Sequence, residues 1–210
     1  MDLVKEAYKI QSNTIIKNLE KRFMEGYYCE TKEEAVEKIL SLINEGSSVS
    51  WGGSKTLDEI GIKKQLHNNN LTVIDRDAAK SPEERTKLMK EALTCNYFLT
   101  STNAITMDGE LVNIDGNGNR VAAICFGPDN VIVVTGMNKV TANIESAIDR
   151  VRINACTPNC LRFNLQNPCS VVGKCGDCLN TSICGQILVT RLSKVKNRIK
   201  VVLVGENLGF

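Results

Sequence analysis

The stretch Val131–Gly136, "VIVVTG", is the segment whose reading decides the fold. Five of its six residues are apolar or β-branched, and none of the first four is polar. A strand with one wet face alternates, whereas a continuous apolar run suits a strand covered on both faces, as in a parallel sheet between helix layers. Working outward, "LTVID" at 71–75 and "NYFLTS" at 96–101 read as further strands. "SSVSW", 47–51, precedes two glycines, and "GYYCE", 26–30, is a short strand candidate.

Helical patterns separate these strands. "TKEEAVEKILSLINEG" opens on a capping box, Thr31 with Glu34, and carries Val36, Ile39, Leu40 and Ile43 at helical spacing. "SPEERTKLMKEALT" has Ser81 as N-cap, Pro82 in the first turn and Glu84 three residues on. "TANIESAIDRVRINA" places Ile144, Ala147, Ile148, Val151 and Ala155 on one side. Residues 3–24 read as an opening helix with Leu3, Ala7, Ile10 and Thr14 on one face and Ile15, Leu19 and Phe23 beside it. "QILVTRL" and "RIKVVLVG" read as two closing strands. Strands alternating with helices predict an α/β fold with a mostly parallel sheet and flanking helices. With 210 residues and no long linker, a single domain over 1–210 is expected, with the N-terminal helix at 1–26 and a cysteine-rich segment at 156–185.

The composition excludes some functions. A net charge of +2 from 26 basic and 24 acidic residues gives no footprint for nucleic acid. No run approaches the 18 or so apolar residues of a membrane span, and "MDLVKEAYKI" lacks the apolar core of a secretory signal. A cytoplasmic protein is the expectation. There, clustered cysteines more often serve metal or redox chemistry than structural disulfides.

In open α/β sheets ligands bind beyond the carboxyl ends of the strands. Three polar segments are expected there. In "WGGSKT", Gly52, Gly53, Ser54 and Thr56 can cradle a phosphate or carboxylate, or can simply form a strand-to-helix turn with Thr56 and Glu59 as a capping box. In "TSTNAIT", Ser101, Thr102 and Asn103 offer short polar groups. In "LVNIDGNGNR", Asn113 and Asp115 alternate onto one side of a strand, and Arg120 supplies a fork for an anion. "DGNGN" alone also fits a hairpin turn. Asn138 and Lys139 follow "VIVVTG" at another strand end. The candidate site is therefore a ligand-binding set of Gly52, Gly53, Ser54, Thr56, Asn138 and Lys139. Asp115 is the first candidate for acid/base work, Asn103 and Asn113 position the ligand, and Arg120 neutralises its charge.

"NPCSVVGKCGDCLNTSICGQ", 167–186, concentrates four cysteines at a C-x5-C-x2-C-x5-C spacing. Cys175 and Cys178 form a close pair of the type that opens metal sites, and Cys169 and Cys184 complete four ligands. The count suits a [4Fe–4S] cluster, with zinc as the alternative and disulfide bonding as a third reading. Cys156 and Cys160 lie upstream as further candidates, while Cys29, Cys95 and Cys125 read as small buried hydrophobes.

"GGSKTLDEIG", "TSTNAITMDGELVNIDGNGNRVA", "FGPDNVIVVTGMNKV" and "AIDRVRINACTPNCLR" together resemble the LUD domain family, named for lactate-utilisation proteins. The likeness runs from about residue 30 to "VVLVGENLGF". The cysteine stretch resembles the "PC…GKC..C…IC" block of the family's short stand-alone members, and the lactate-utilisation protein C branch is not built around such a block. The resemblance implies the fold shared by glucosamine-phosphate deaminase, ribose-phosphate isomerase and coenzyme A transferases. In that superfamily a glycine-rich turn binds phosphate or acyl ligands. The expected function is binding of a small anionic metabolite in carboxylate or lactate-type metabolism, with a metal site at the cysteines. The alternative is a non-enzymatic electron-transfer or redox-sensing protein. No nucleic-acid or membrane partner is expected, and a homo-oligomer is compatible with the sequence.

Overall fold

The computed structural model describes residues 2–210. Its larger sheet holds six strands, all parallel, in the order β1-β10-β7-β4-β2-β3. These are β1 (Glu25–Cys29), β2 (Ser48–Trp51), β3 (Thr72–Ile74), β4 (Tyr97–Thr100), β7 (Asn130–Gly136) and β10 (Ile199–Val204). The "VIVVTG" strand lies third from one edge, and Val131 to Gly136 are all buried. Apolar residues pack on both faces of β7. Ile132 and Val134 join one core with Trp51, Leu57, Leu99 and Val202, whereas Val131 and Val133 join another with Ile15, Leu19, Ile105 and Val201.

The helices of this layer are α1 (Leu3–Lys21), α2 (Lys32–Ser41), α3 (Lys55–Glu59), α4 (Ile62–His67) and α5 (Pro82–Glu91). Thr31 and Ser81 cap α2 and α5 by accepting from the backbone N–H of Glu34 and Glu84. The buried face of α1 is Ser12, Ile15 and Leu19, not the expected line from Leu3 through Ile10. Leu3 and Ile10 are exposed, and helix α1 ends at Lys21 before a left-handed Phe23.

A second sheet was not legible in the sequence. Strands β5 (Ala104–Thr106), β6 (Leu111–Asp115), β8 (Val140–Thr141) and β9 (Gln186–Thr190) form it in the order β8-β5-β6-β9. The closing strands therefore part company: β9 pairs antiparallel with β6, and β10 enters the large sheet between β1 and β7. The "DGNGN" stretch is not a hairpin turn. It leads from β6 into a helix, α6 (Asn119–Cys125), whose N-cap is the left-handed Gly118. Helix α7 (Ile144–Arg150) passes through a π-helical stretch, Val151–Ala155, into α8 (Cys156–Arg162), and a short α9 (Pro168–Val171) follows.

Candidate functional site

All six strands of the large sheet run the same way, so β2, β4 and β7 deliver their following loops to one edge. A cleft of about 560 Å³ opens there. Gly53, Ser54 and Thr56 after β2, Ser101 to Asn103 after β4, Lys139 after β7, and Asp115, Gly116, Asn117, Asn119 and Arg120 from the end of β6 onward all line it. Its walls carry six basic side chains, Lys55, Arg76, Arg85, Arg120, Lys139 and Arg162, and one acidic side chain, Asp115.

The four residues singled out for chemistry form one knot around Arg120. Its guanidinium donates to the side-chain oxygens of Asn113 at 2.5 Å and Asn103 at 3.0 Å, and to the carbonyls of Ser101 and Ile114. Its Nε and backbone N–H donate to the two carboxylate oxygens of Asp115 at 3.3 and 3.2 Å. A guanidinium has five donors in a fixed fork, and here each nitrogen has a partner. Arg120 and Asp115 thus hold the β6–α6 turn in shape, with their charges directed at each other. Asn103, Asp115 and Arg120 reach the cleft, while Asn113 is buried behind them.

Lys139 is arranged differently. It is 2% exposed, and Nζ donates to Thr56 Oγ1 at 2.9 Å, Ser101 Oγ at 3.1 Å and the Thr102 carbonyl at 3.4 Å. No carboxylate lies within ion-pair range of it among the described residues. Burial, with Arg150 and Arg120 nearby, pulls its pKa down to about 7, against a smaller opposing pull from Glu59. Arg76 is also poorly matched. It reaches only the Met89 sulfur and a 3.7 Å contact with Asp77, and its Nε is buried without a hydrogen bond. Arg76 and Arg85 do not stand out in the sequence, because helical and loop arginines are ordinarily solvated.

The glycines serve the cations. A Cβ on Gly53 would stand 2.5 Å from Arg76 Nη2, and one on Gly52 would stand 3.1 Å from Arg120 Cδ. Gly52 itself does not line the cleft. The alternative reading of this turn, a Thr56–Glu59 capping box, is absent: Ser54 caps α3 by accepting from Leu57 N–H, and Thr56 faces Lys139. Asn138 does not line the cleft either. Its side chain accepts from Leu208 N–H at 3.1 Å and anchors the final residues, whose Gly209 N–H donates to Glu59.

The cysteine segment meets this cleft. Cys156 and Cys184 line it, their sulfurs 4.0 Å apart, and Cys160 and Cys169 pair behind them at 3.3 Å. Cys156 and Cys160 lie one turn apart on α8, so this helix supplies one thiol to each pair. All nine cysteines are free, and Cys175 and Cys178 are half-exposed. No three metal-ligating side chains are grouped to hold a single ion among the described residues. Burial raises the thiols of Cys29 and Cys95 to about 11, in keeping with small hydrophobes, but Cys125 is exposed, contrary to expectation.

A DUF162 family protein from Deinococcus radiodurans matches with a TM-score of 0.52 at 13% identity, over 95% of this chain and 97% of that one. Ribose 5-phosphate isomerase A from Methanocaldococcus jannaschii matches at a TM-score of 0.35 and 13% identity, over 54% of this chain and 55% of that one. The eIF2B delta subunit from Chaetomium thermophilum matches at 0.36 and 16% identity, over 56% and 50%. No curated protein matches the sequence. No helix is long and apolar enough to cross a membrane among the described residues. The LUD domain family model matches residues 13–204, and the chain belongs to that family.

Proposed function

We propose that the chain binds a small metabolite carrying at least one carboxylate or phosphate, in the cleft at the carboxyl edge of the large sheet. One observation carries the reading: six basic side chains face one acidic side chain, Asp115, which is already paired with Arg120. Lys139 is left as a buried cation with no acid of its own, and the half-buried Arg76 has only a 3.7 Å contact with Asp77, which Lys63 and Arg85 share. Burying an unmatched charge costs several kcal/mol, and an anionic ligand repays it. Asp115 and Arg120 would shape the pocket floor, and Lys139, Arg76 and Arg162 would meet the anion.

A thermal-shift panel of hydroxy acids, sugar phosphates and acyl-CoA compounds tests this. Stabilisation by at least one anionic member, lost in Lys139→Met, is the expected result. A flat panel with well-folded protein would overturn it.

A second reading concerns the thiols, and two adjoining cysteine pairs beside a cleft favour it. An iron–sulfur cluster held by Cys169, Cys175, Cys178 and Cys184 would supply one-electron chemistry there, and zinc would only fix the segment. The structure does not close such a shell, since Cys169 and Cys184 pair with Cys160 and Cys156 instead. Anaerobic purification with iron, sulfide and zinc analysis decides. Near one equivalent of metal or cluster per chain, lost when the four cysteines become serine, supports it; metal-free protein sinks it.

A further inference from the structure

We infer that Lys139 is a covalent amine site: it condenses with the carbonyl carbon of an aldehyde or ketone that also carries a carboxylate or phosphate. The inference rests on the anion-binding reading of the same cleft and names its substrate class.

Three observations lead to it. The first is position. Lys139 sits on the cleft wall, 2% exposed, in the turn that follows strand β7. The second is the absence of a carboxylate partner. The charged groups that act on it are Arg150 from α7, Arg120 from α6 and Glu59 from α3, and the two cations outweigh the acid. Such surroundings favour the neutral amine, which is the nucleophilic form.

The third is the pattern of hydrogen bonds. A neutral amine has two N–H donors and one lone pair. Thr56 Oγ1 at 2.9 Å and Ser101 Oγ at 3.1 Å are the nearer acceptors, and the Thr102 carbonyl at 3.4 Å is a third, longer one that only the ammonium uses. The hydroxyl protons of those residues are themselves committed, Thr56 to the Leu208 carbonyl at 3.5 Å and Ser101 to the Thr102 carbonyl at 3.2 Å. Neither hydroxyl donates to the nitrogen and none of the three acceptors is an anion, so loss of one proton gives up only the longest contact and leaves a lone pair. A surface lysine would present the opposite state, charged and solvated.

The chemistry balances without a redox partner. The nitrogen lone pair forms a C–N bond to the carbonyl carbon, and the carbonyl π electrons move to oxygen. One proton passes from nitrogen to that oxygen, giving a carbinolamine. The C–O bond then breaks, a solvent proton joins the departing hydroxide as water, and a protonated imine remains. The anionic group of the ligand would rest against Arg76 and Arg162, which line the same cleft.

The test uses the full chain, glyoxylate in one arm and dihydroxyacetone phosphate in the other, with sodium cyanoborohydride to trap the imine. Intact mass and peptide mapping should show one adduct, on Lys139, at least about tenfold faster than on any other lysine, in at least one arm. The faster arm identifies the anionic group. Labelling should rise with pH through about 7. It should slow with added inorganic phosphate but not with sodium chloride of equal ionic strength. Lys139→Arg should abolish the adduct, and circular dichroism checks its folding. If that variant does not fold, phosphate protection of the wild type decides. Calorimetry without reductant separates the two ideas. Heat of binding with labelling scattered over surface lysines overturns the imine and leaves the anion site standing. No heat and no adduct overturn both.

Discussion

Arg120 and Lys139 are buried cations on the same cleft, and the protein treats them in opposite ways. Arg120 is surrounded by acceptors: one carboxylate, two amide oxygens and two carbonyls. Lys139 has two hydroxyls and a carbonyl, and no acid. A cation whose needs are met internally is part of the frame. A cation left electrostatically unmatched in a concave site is a place where the fold has given up stability, and such places cluster at functional sites. On the proposed reading, Arg120 belongs to the frame of the cleft and Lys139 to the side that would meet a ligand.

The separation can be broken in order of expected size. Arg120→Met should be the most damaging change, lowering stability by about 3–5 kcal/mol, because it strands Asp115 and two amide oxygens. A urea melt measures it, and a loss under about 1 kcal/mol would mean that the knot is not structural. Lys139→Met should behave in the reverse sense. It removes a desolvation cost and should leave the protein as stable as wild type or more so at pH 6.

The pH dependence sharpens this. The folded pKa of Lys139 is about 7 against an ordinary 10.5, so the unfolded chain holds the extra proton between those values. Stability contributed by the neutral amine is therefore gained as pH climbs from 7 toward 10.5, and is absent below 7. Wild type should gain on Lys139→Met by a few kcal/mol over that window. Parallel curves would contradict the unmatched state of Lys139.

Asp115→Asn should cost about 1–3 kcal/mol, since both carboxylate oxygens accept from Arg120 and one would be replaced by a donor. A neutral result would release Asp115 from the frame and restore it as an acid/base candidate. Arg76→Ala should have the smallest structural effect, within about 0.5 kcal/mol. It should still weaken anion binding about tenfold, worth about 1.4 kcal/mol.

Much of the large sheet could be read from the chain because its strands are continuous apolar runs between well-capped helices. "VIVVTG" and "NYFLTS" announce burial on both faces, and Thr31 and Ser81 announce helix starts. The small sheet was not legible. Its strands are two to five residues long, and β9 pairs with a partner more than seventy positions upstream. Helix α6 was hidden by "DGNGN", whose glycines fit a hairpin as well as a left-handed helix cap. The candidate residues came from polar positions at strand ends, and most of them do converge. What spacing could not reveal was the division of labour. Whether an arginine is spent or free depends on acceptors brought from Asn103, Asn113 and Ser101, and no local pattern encodes that. Arg85 of α5 and Arg76 after β3 were missed for the same reason.

The most direct measurement is a calorimetric titration of wild type and Lys139→Met with inorganic phosphate at pH 6.5 and low ionic strength. Wild type should bind one phosphate per chain, and the variant should bind at least about tenfold more weakly while remaining folded. Equal binding by the two proteins, or none by wild type, would contradict the assignment of this cleft as an anion site built on Lys139.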